Sequence, residues 1–102
     1  MDDEGKVRDV YRKIHLFDVN VPNGPILLES RYTAPGAAQA CIVPTPFGFN
    51  LGLTTCYDVR FPELYIALAR KGADVILVPS AFTVPTGKAH WHLLLRARAV
   101  ES

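Results

Sequence analysis

The sequence predicts an α/β fold, and three consecutive stretches carry that prediction. Phe49–Thr55, with Leu51, Leu53, Thr54 and Thr55, is an apolar and β-branched run suited to an interior strand. Glu63–Lys71 reads as a helix, and Asp74–Pro79 (DVILVP) as a short apolar strand of parallel-sheet character. Strand, helix and strand in that order predict a βαβ crossover, because parallel neighbours need a connection long enough to return to the same edge.

The remaining elements are read around that unit. Val7–Val19 is expected to be a strand, on the run Val7, Val10, Ile14, Leu16 and Phe17, with a polar lead-in that resembles the return from a turn. Asn20–Pro25 (NVPNGP) has turn chemistry, and Thr33–Gly36 marks another turn. Ala40–Val43 and Phe49–Thr55 flank the Pro44–Gly48 turn as a hairpin. Arg60–Phe61–Pro62–Glu63 carries helix-start signals, Pro62 at a first helical position and Glu63 in the electropositive first turn. Arg70 and Lys71 suit the last turn, and Gly72 the residue after it. A second helix is expected over Lys88–Glu101, with Thr86 as its cap and no stop signal before Ser102. No repeat, linker or low-complexity segment interrupts the chain.

Composition narrows the function classes. A chain of 102 residues has the length of a single domain, and such a domain buries roughly two-thirds of its unfolded surface. With 49% apolar and 21% charged residues it reads as globular rather than disordered. A net charge of +1 gives no electrostatic argument for binding nucleic acid or an acidic membrane. No apolar run approaches the ~20 residues of a membrane span. Two cysteines, no N-glycosylation sequon and no signal peptide point to a reducing compartment, the cytosol by default. A mitochondrial location would suit a longer form.

Cys56 is the residue with most chemistry in its setting. It stands where a strand ends and a helix is about to begin, and helix N-terminal N–H groups with a nearby cation are what make a thiol a nucleophile. The bland alternative is a small core residue. Lys13, in the middle of an apolar run, is costly to bury unless a negative group meets it, and is otherwise a snorkelling surface lysine. Arg60 and Glu63 read as a helix-start charge pair supporting the cysteine turn, with substrate contact as the other role for Arg60; Asp58 reads as a turn residue. Ser80, Ala81, Phe82 and Thr83 follow the C-terminal end of a strand, where α/β sheets place ligands.

Competing constellations fail on spacing. A cysteine-phosphatase cradle would place its arginine where this chain has Pro62. His15, His90 and His92 carry no protease signature, and His90 and His92 on one helix face different directions, which excludes the i, i+4 manner of sharing a metal. Cys41 and Cys56 lack CxxC spacing. No metal and no cofactor are expected.

Four motifs in order, Tyr11–Asp18 (YRKIHLFD), Glu29–Gly36 (ESRYTAPG), CYDVRFPEL from Cys56 and PSAFTVPTGKAHW from Pro79, resemble the nitrilase, or carbon–nitrogen hydrolase, superfamily over essentially the whole chain. Within it they are most similar to the nitrilase-homologue amidases that deamidate deaminated glutathione. The resemblance implies part of a four-layer α-β-β-α sandwich, truncated at both ends, so that residues 1–102 form a partial domain with open sheet edges and apolar faces. It implies hydrolysis of a small ω-amide through a cysteine thioester, and a homo-oligomer in the full-length form. Cys56 would be the nucleophile, and Lys13 the lysine that pairs with the base and donates to the oxyanion. Tyr57 would supply a second oxyanion donor through its N–H, Glu29 would position substrate or water, and Arg60 and Ser80–Thr83 would line the pocket. The resemblance places the general base on another glutamate, tens of residues before the lysine, and hence before Met1. The other function class is therefore a non-catalytic fragment acting by protein association.

Overall fold

The structure, a computed structural model, describes all residues from Met1 to Ser102. Its first regular elements are two short antiparallel strands, β1 (Asp18–Asn20) and β2 (Ile26–Leu28), with Asp18 opposite Leu28 and Asn20 opposite Ile26. The intervening turn is closed by Val21 N–H donating to the Pro25 carbonyl at 3.2 Å and Gly24 N–H to Val21 at 2.8 Å. Asn23 takes φ +58°, a left-handed conformation asparagine tolerates.

The strand expected over Val7–Val19 is not formed; only its last two residues enter β1. Side chains rather than a neighbouring strand satisfy this backbone. Ile14 N–H donates to the Tyr11 hydroxyl, His15 N–H to Asp58 and Phe17 N–H to Glu29. Gly36 N–H donates to the Lys13 carbonyl at 2.8 Å, and a Cβ on Gly36 would fall 2.1 Å from the Arg12 carbonyl oxygen. Only glycine permits that approach.

The second sheet follows the expected plan. β3 (Cys41–Pro44) pairs antiparallel with β4 (Asn50–Leu53), and β4 pairs parallel with β5 (Val75–Leu77), in the order β3-β4-β5. The crossover is α1 (Pro62–Arg70), with Pro62 at its start, Lys71 as its cap and Gly72 at φ +87° just beyond. Gly52 of β4 is buried beneath this helix; a Cβ there would meet Leu68, Ala73 and Ile76 at 3.2 Å. The core is Val59, Leu64, Tyr65 and Leu68, and the buried Thr54 hydroxyl is satisfied by Tyr65 Oη and the Leu77 carbonyl.

The last helical run starts earlier than expected. α2 (Val84–Thr86) passes through a π turn (Gly87–Trp91) into α3 (His92–Glu101). Thr83, not Thr86, is the cap: its Oγ1 accepts from Thr86 N–H at 3.4 Å, and Pro85 falls within the first turn, where its missing N–H costs nothing. Arg98 on α3 is buried, donates to the Val59 carbonyl at 2.9 Å and lies over the Tyr65 ring, so α3 is tied to the core by a cation.

Only eight of 102 residues are buried, and the radius of gyration is 15.1 Å, against about 13 Å for a compact chain of this length. Apolar faces also stand open. Val75 and Leu77 of β5, Val84 of α2 and Leu93 of α3 are all exposed.

Candidate active site

The ladder between β4 and β5 continues beyond both strands and ends at the cysteine. Thr54 N–H donates to the Leu77 carbonyl at 3.2 Å and Cys56 N–H to the Pro79 carbonyl at 2.8 Å. Cys56 is thereby pinned at the C-terminal end of a parallel pair. Its φ of +50° is left-handed, which costs a non-glycine residue about 1–3 kcal/mol and persists only where the surroundings impose it. A 3-10 turn, Cys56–Arg60, separates it from α1. The amides closest in sequence to the thiol thus belong to this turn rather than to α1, which corrects the expected adjacency. The Tyr57 N–H, the first after the cysteine, has no acceptor within the protein.

Asp58, treated in the sequence only as a turn residue, is the hub of this region. Its side chain is fully buried and accepts four hydrogen bonds. Oδ1 takes His15 N–H at 3.0 Å and His15 Nδ1 at 2.8 Å. Oδ2 takes the Tyr11 hydroxyl at 2.6 Å and Thr55 N–H at 2.9 Å. With a carboxylate as acceptor, His15 must carry its proton on Nδ1. Burial, and then the Asp58 carboxylate, push the Tyr11 hydroxyl above the ordinary phenol range. His15 also stacks on Phe61, with ring centroids 3.6 Å apart. The signal for Asp58 was in the sequence: Thr55-x-x-Asp58 is a capping-box pattern, and Thr55 N–H to Asp58 is one of its two bonds.

Lys13 finds its negative group in Glu29, with Nζ 2.6 Å from Oε2 and the lysine side chain only 13% exposed. Glu29 is positioned by the β1–β2 hairpin, which sets it opposite Phe17. Its N–H donates to the Phe17 carbonyl at 3.2 Å, and Phe17 N–H donates back to Oε2 at 2.7 Å. Burial pushes the Glu29 carboxyl up, but the Lys13 and Phe17 hydrogen bonds outweigh it and hold the group below its ordinary value of 4.5.

A cavity of about 340 Å³ gathers these groups. Lys13, Glu29, Cys56, Tyr57, Arg60, Ala81, Phe82 and Thr83 all line it, with Phe17, Leu27 and Leu28 adding apolar wall. Cys56 Sγ lies 3.9 Å from the Ala81 carbonyl. Ser80 is the exception. It borders a neighbouring cavity shared with Phe82 and Thr83, and its hydroxyl donates to the Val78 carbonyl. Arg60 forms no ion pair with Glu63. Its guanidinium lies 5.9 Å from both the Tyr57 and Phe82 ring centres, and 3.3 Å from His90 Nδ1. Cys41, on β3, lies outside the cavity, and burial followed by Asp9 pushes its thiol up.

The carbon-nitrogen hydrolase profile matches residues 1–102. The chain is 54% identical over 92 residues to a deaminated glutathione amidase of Synechocystis, covering 90% of this chain and 34% of that protein. Its structure resembles the crystal structure of the C. elegans NitFhit protein with a TM-score of 0.86 at 48% identity, over 97% of this chain and 24% of that one. It also resembles a mutant of the amidase from Nesterenkonia sp. AN1 that shows covalent addition of the acetamide moiety of fluoroacetamide at the active-site cysteine, with a TM-score of 0.76 at 36% identity over 97% of this chain and 34% of that one. The chain belongs to the carbon-nitrogen hydrolase family. It spans about a third of the length of the amidase relative it matches.

Proposed function

We propose that the protein deamidates a small ω-amide of the deaminated-glutathione type through a thioester on Cys56. The observation that carries this reading is the convergence in one cavity of a conformationally strained cysteine, a nearly buried lysine paired with a glutamate, and an acceptor-free amide next to the cysteine. The covalent cysteine adduct of the Nesterenkonia amidase and the name of the Synechocystis relative support it.

The Cys56 sulfur attacks the amide carbonyl, and the oxygen takes up the negative charge. Lys13 Nζ and Tyr57 N–H donate to it, and removing one such donor typically costs about 10²–10³ in rate. The base takes the thiol proton as the sulfur attacks and returns it to the nitrogen as the intermediate collapses, which expels ammonia and forms the thioester. Water then attacks the thioester, giving the carboxylic acid and the free thiol. Glu29 is a poor candidate for the base in these steps, because a carboxyl held below its usual range by Lys13 accepts protons weakly near neutral pH. We assign it to orienting Lys13 and water or substrate, and the base to a carboxylate outside these residues. Arg60, Ala81, Phe82 and Thr83 shape the wall against the substrate, and a cavity of about 340 Å³ suits a small molecule.

The enzyme is assigned to the cytosol, on two free cysteines, and to a homo-oligomer whose size gel filtration would measure. No helix is long and apolar enough to cross a membrane. A second reading, a non-catalytic piece acting by association, is favoured for the 102-residue polypeptide by its exposed apolar faces. Ammonia release from deaminated glutathione by the full-length protein tests the first reading. It is expected to fall to background in Cys56→Ala; release that survives this change removes Cys56 from the mechanism.

A further inference from the structure

We propose that Asp58 is a positioning residue that clamps the cysteine turn to the lysine segment, an inference that rests on the amidase reading above. The four donors to this one carboxylate come from two sides. Thr55 N–H directly precedes Cys56, while the Tyr11 hydroxyl and both His15 donors stand two residues before and two residues after Lys13. Asp58 itself lies two residues after the cysteine. The segment carrying Lys13 has no regular secondary structure, so its distance from Cys56 is not set by a strand ladder. Lys13 is instead held from three directions: by Asp58 through its flanking residues, by Gly36 N–H at its carbonyl, and by Glu29 at its ammonium. Only the first of these reaches the nucleophile's own turn.

The full burial of Asp58 gives the clamp its stiffness. A carboxylate with no water contact and four donors cannot exchange partners without leaving one of them unsatisfied. The same bonds hold the turn in which Cys56 takes its φ of +50°, a conformation that relaxes unless it is imposed. A misplacement of about 1 Å between reacting groups costs about 10²-fold in rate, so this clamp governs turnover without touching substrate.

The test uses the full-length protein with deaminated glutathione as probe. Asp58→Asn keeps the volume but presents an amide NH₂ to one jaw, so either Thr55 or His15 loses its acceptor. It is expected to lower kcat by about 10²-fold with KM within about threefold, and to speed hydrogen exchange at the Thr55 or His15 amide but not in β3–β4. Tyr11→Phe, which leaves three donors, is expected to lower kcat about three- to tenfold, consistent with loss of one hydrogen bond. Leu68→Ala, in the core of α1, serves as the control for general destabilisation and is expected to lower the thermal midpoint with kcat unchanged. The proposal is overturned if folded Asp58→Asn keeps kcat, if Leu68→Ala loses as much kcat as Asp58→Asn, or if Asp58→Asn fails to fold and Tyr11→Phe keeps full kcat. If the wild-type protein releases no ammonia, the amidase reading fails. Exchange at Thr55 and His15 then decides the clamp by itself, unchanged protection in Asp58→Asn overturning it.

Discussion

Lys13 and Glu29 show how a single pair can be expensive in isolation and stable together. Either charge alone on the cavity wall would carry a desolvation cost. Paired at 2.6 Å, with the Phe17 amide as a further donor, the carboxylate stays ionised below its usual range. A group with a depressed folded pKa contributes stability that is present above its unfolded value and is lost as pH falls through the folded one. The full-length protein should therefore keep the Glu29 contribution from neutral pH down to about 4.5 and lose it below. Denaturant midpoints of wild type and Glu29→Gln measured from pH 7 to pH 3 should converge at the acid end. A gap of constant size across that range would show that the charge of Glu29 adds nothing. Asp58 teaches the complementary lesson. Its role was illegible in the residue itself, because three of its four donors come from Tyr11 and His15, far along the chain. Only the capping-box bond to Thr55 is local.

At the scale of elements, the βαβ unit was legible because each piece announces itself locally. Pro62 and Gly72 bracket α1, and β4 and β5 are apolar runs between turn signals. The lysine segment departs from the expected strand because an apolar run predicts burial on one side but not a partner strand, and side-chain acceptors take the place of a ladder. β2 is three residues long, too short to show a period, and the 3-10 turn after Cys56 has no sequence signature beyond Thr55 and Asp58. Capping was displaced from Thr86 to Thr83 because two threonines three apart, with a proline between them, fit the same pattern. Gly36 is where this level is most sensitive. A methyl group there would collide with the Arg12 backbone, so Gly36→Ala should destabilise the protein by about 1–3 kcal/mol. It should also lower amide turnover by displacing Lys13. Unchanged stability and turnover in this variant would mean that the Gly36 contact places nothing.

The whole molecule is open. Eight buried residues and exposed Val75, Leu77, Val84 and Leu93 leave little apolar surface removed from water, although the sheet order and crossover are intact. So small a buried core gives the oxyanion donors little packing to hold them still. The 102 residues by themselves are expected to unfold without a sharp transition and to release no ammonia above background from deaminated glutathione. The chemistry points the same way. The only carboxylate on the cavity wall is Glu29, and it is committed to Lys13. The proposed mechanism therefore calls for a base outside this set of residues, and general acid–base assistance is worth about 10²–10⁴ in rate. Cooperative unfolding with full turnover by these residues would contradict both statements.

In the proposed mechanism Cys56 carries the acyl group. The measurement closest to it is rapid acid quenching of the full-length protein during turnover of deaminated glutathione, followed by mass analysis of the Cys56 peptide. The predicted result is an increase equal to the acyl group on that peptide, removed by hydroxylamine, formed together with ammonia, and missing in Cys56→Ala. Ammonia release with an unmodified Cys56 peptide, continuing undiminished in Cys56→Ala, would contradict it.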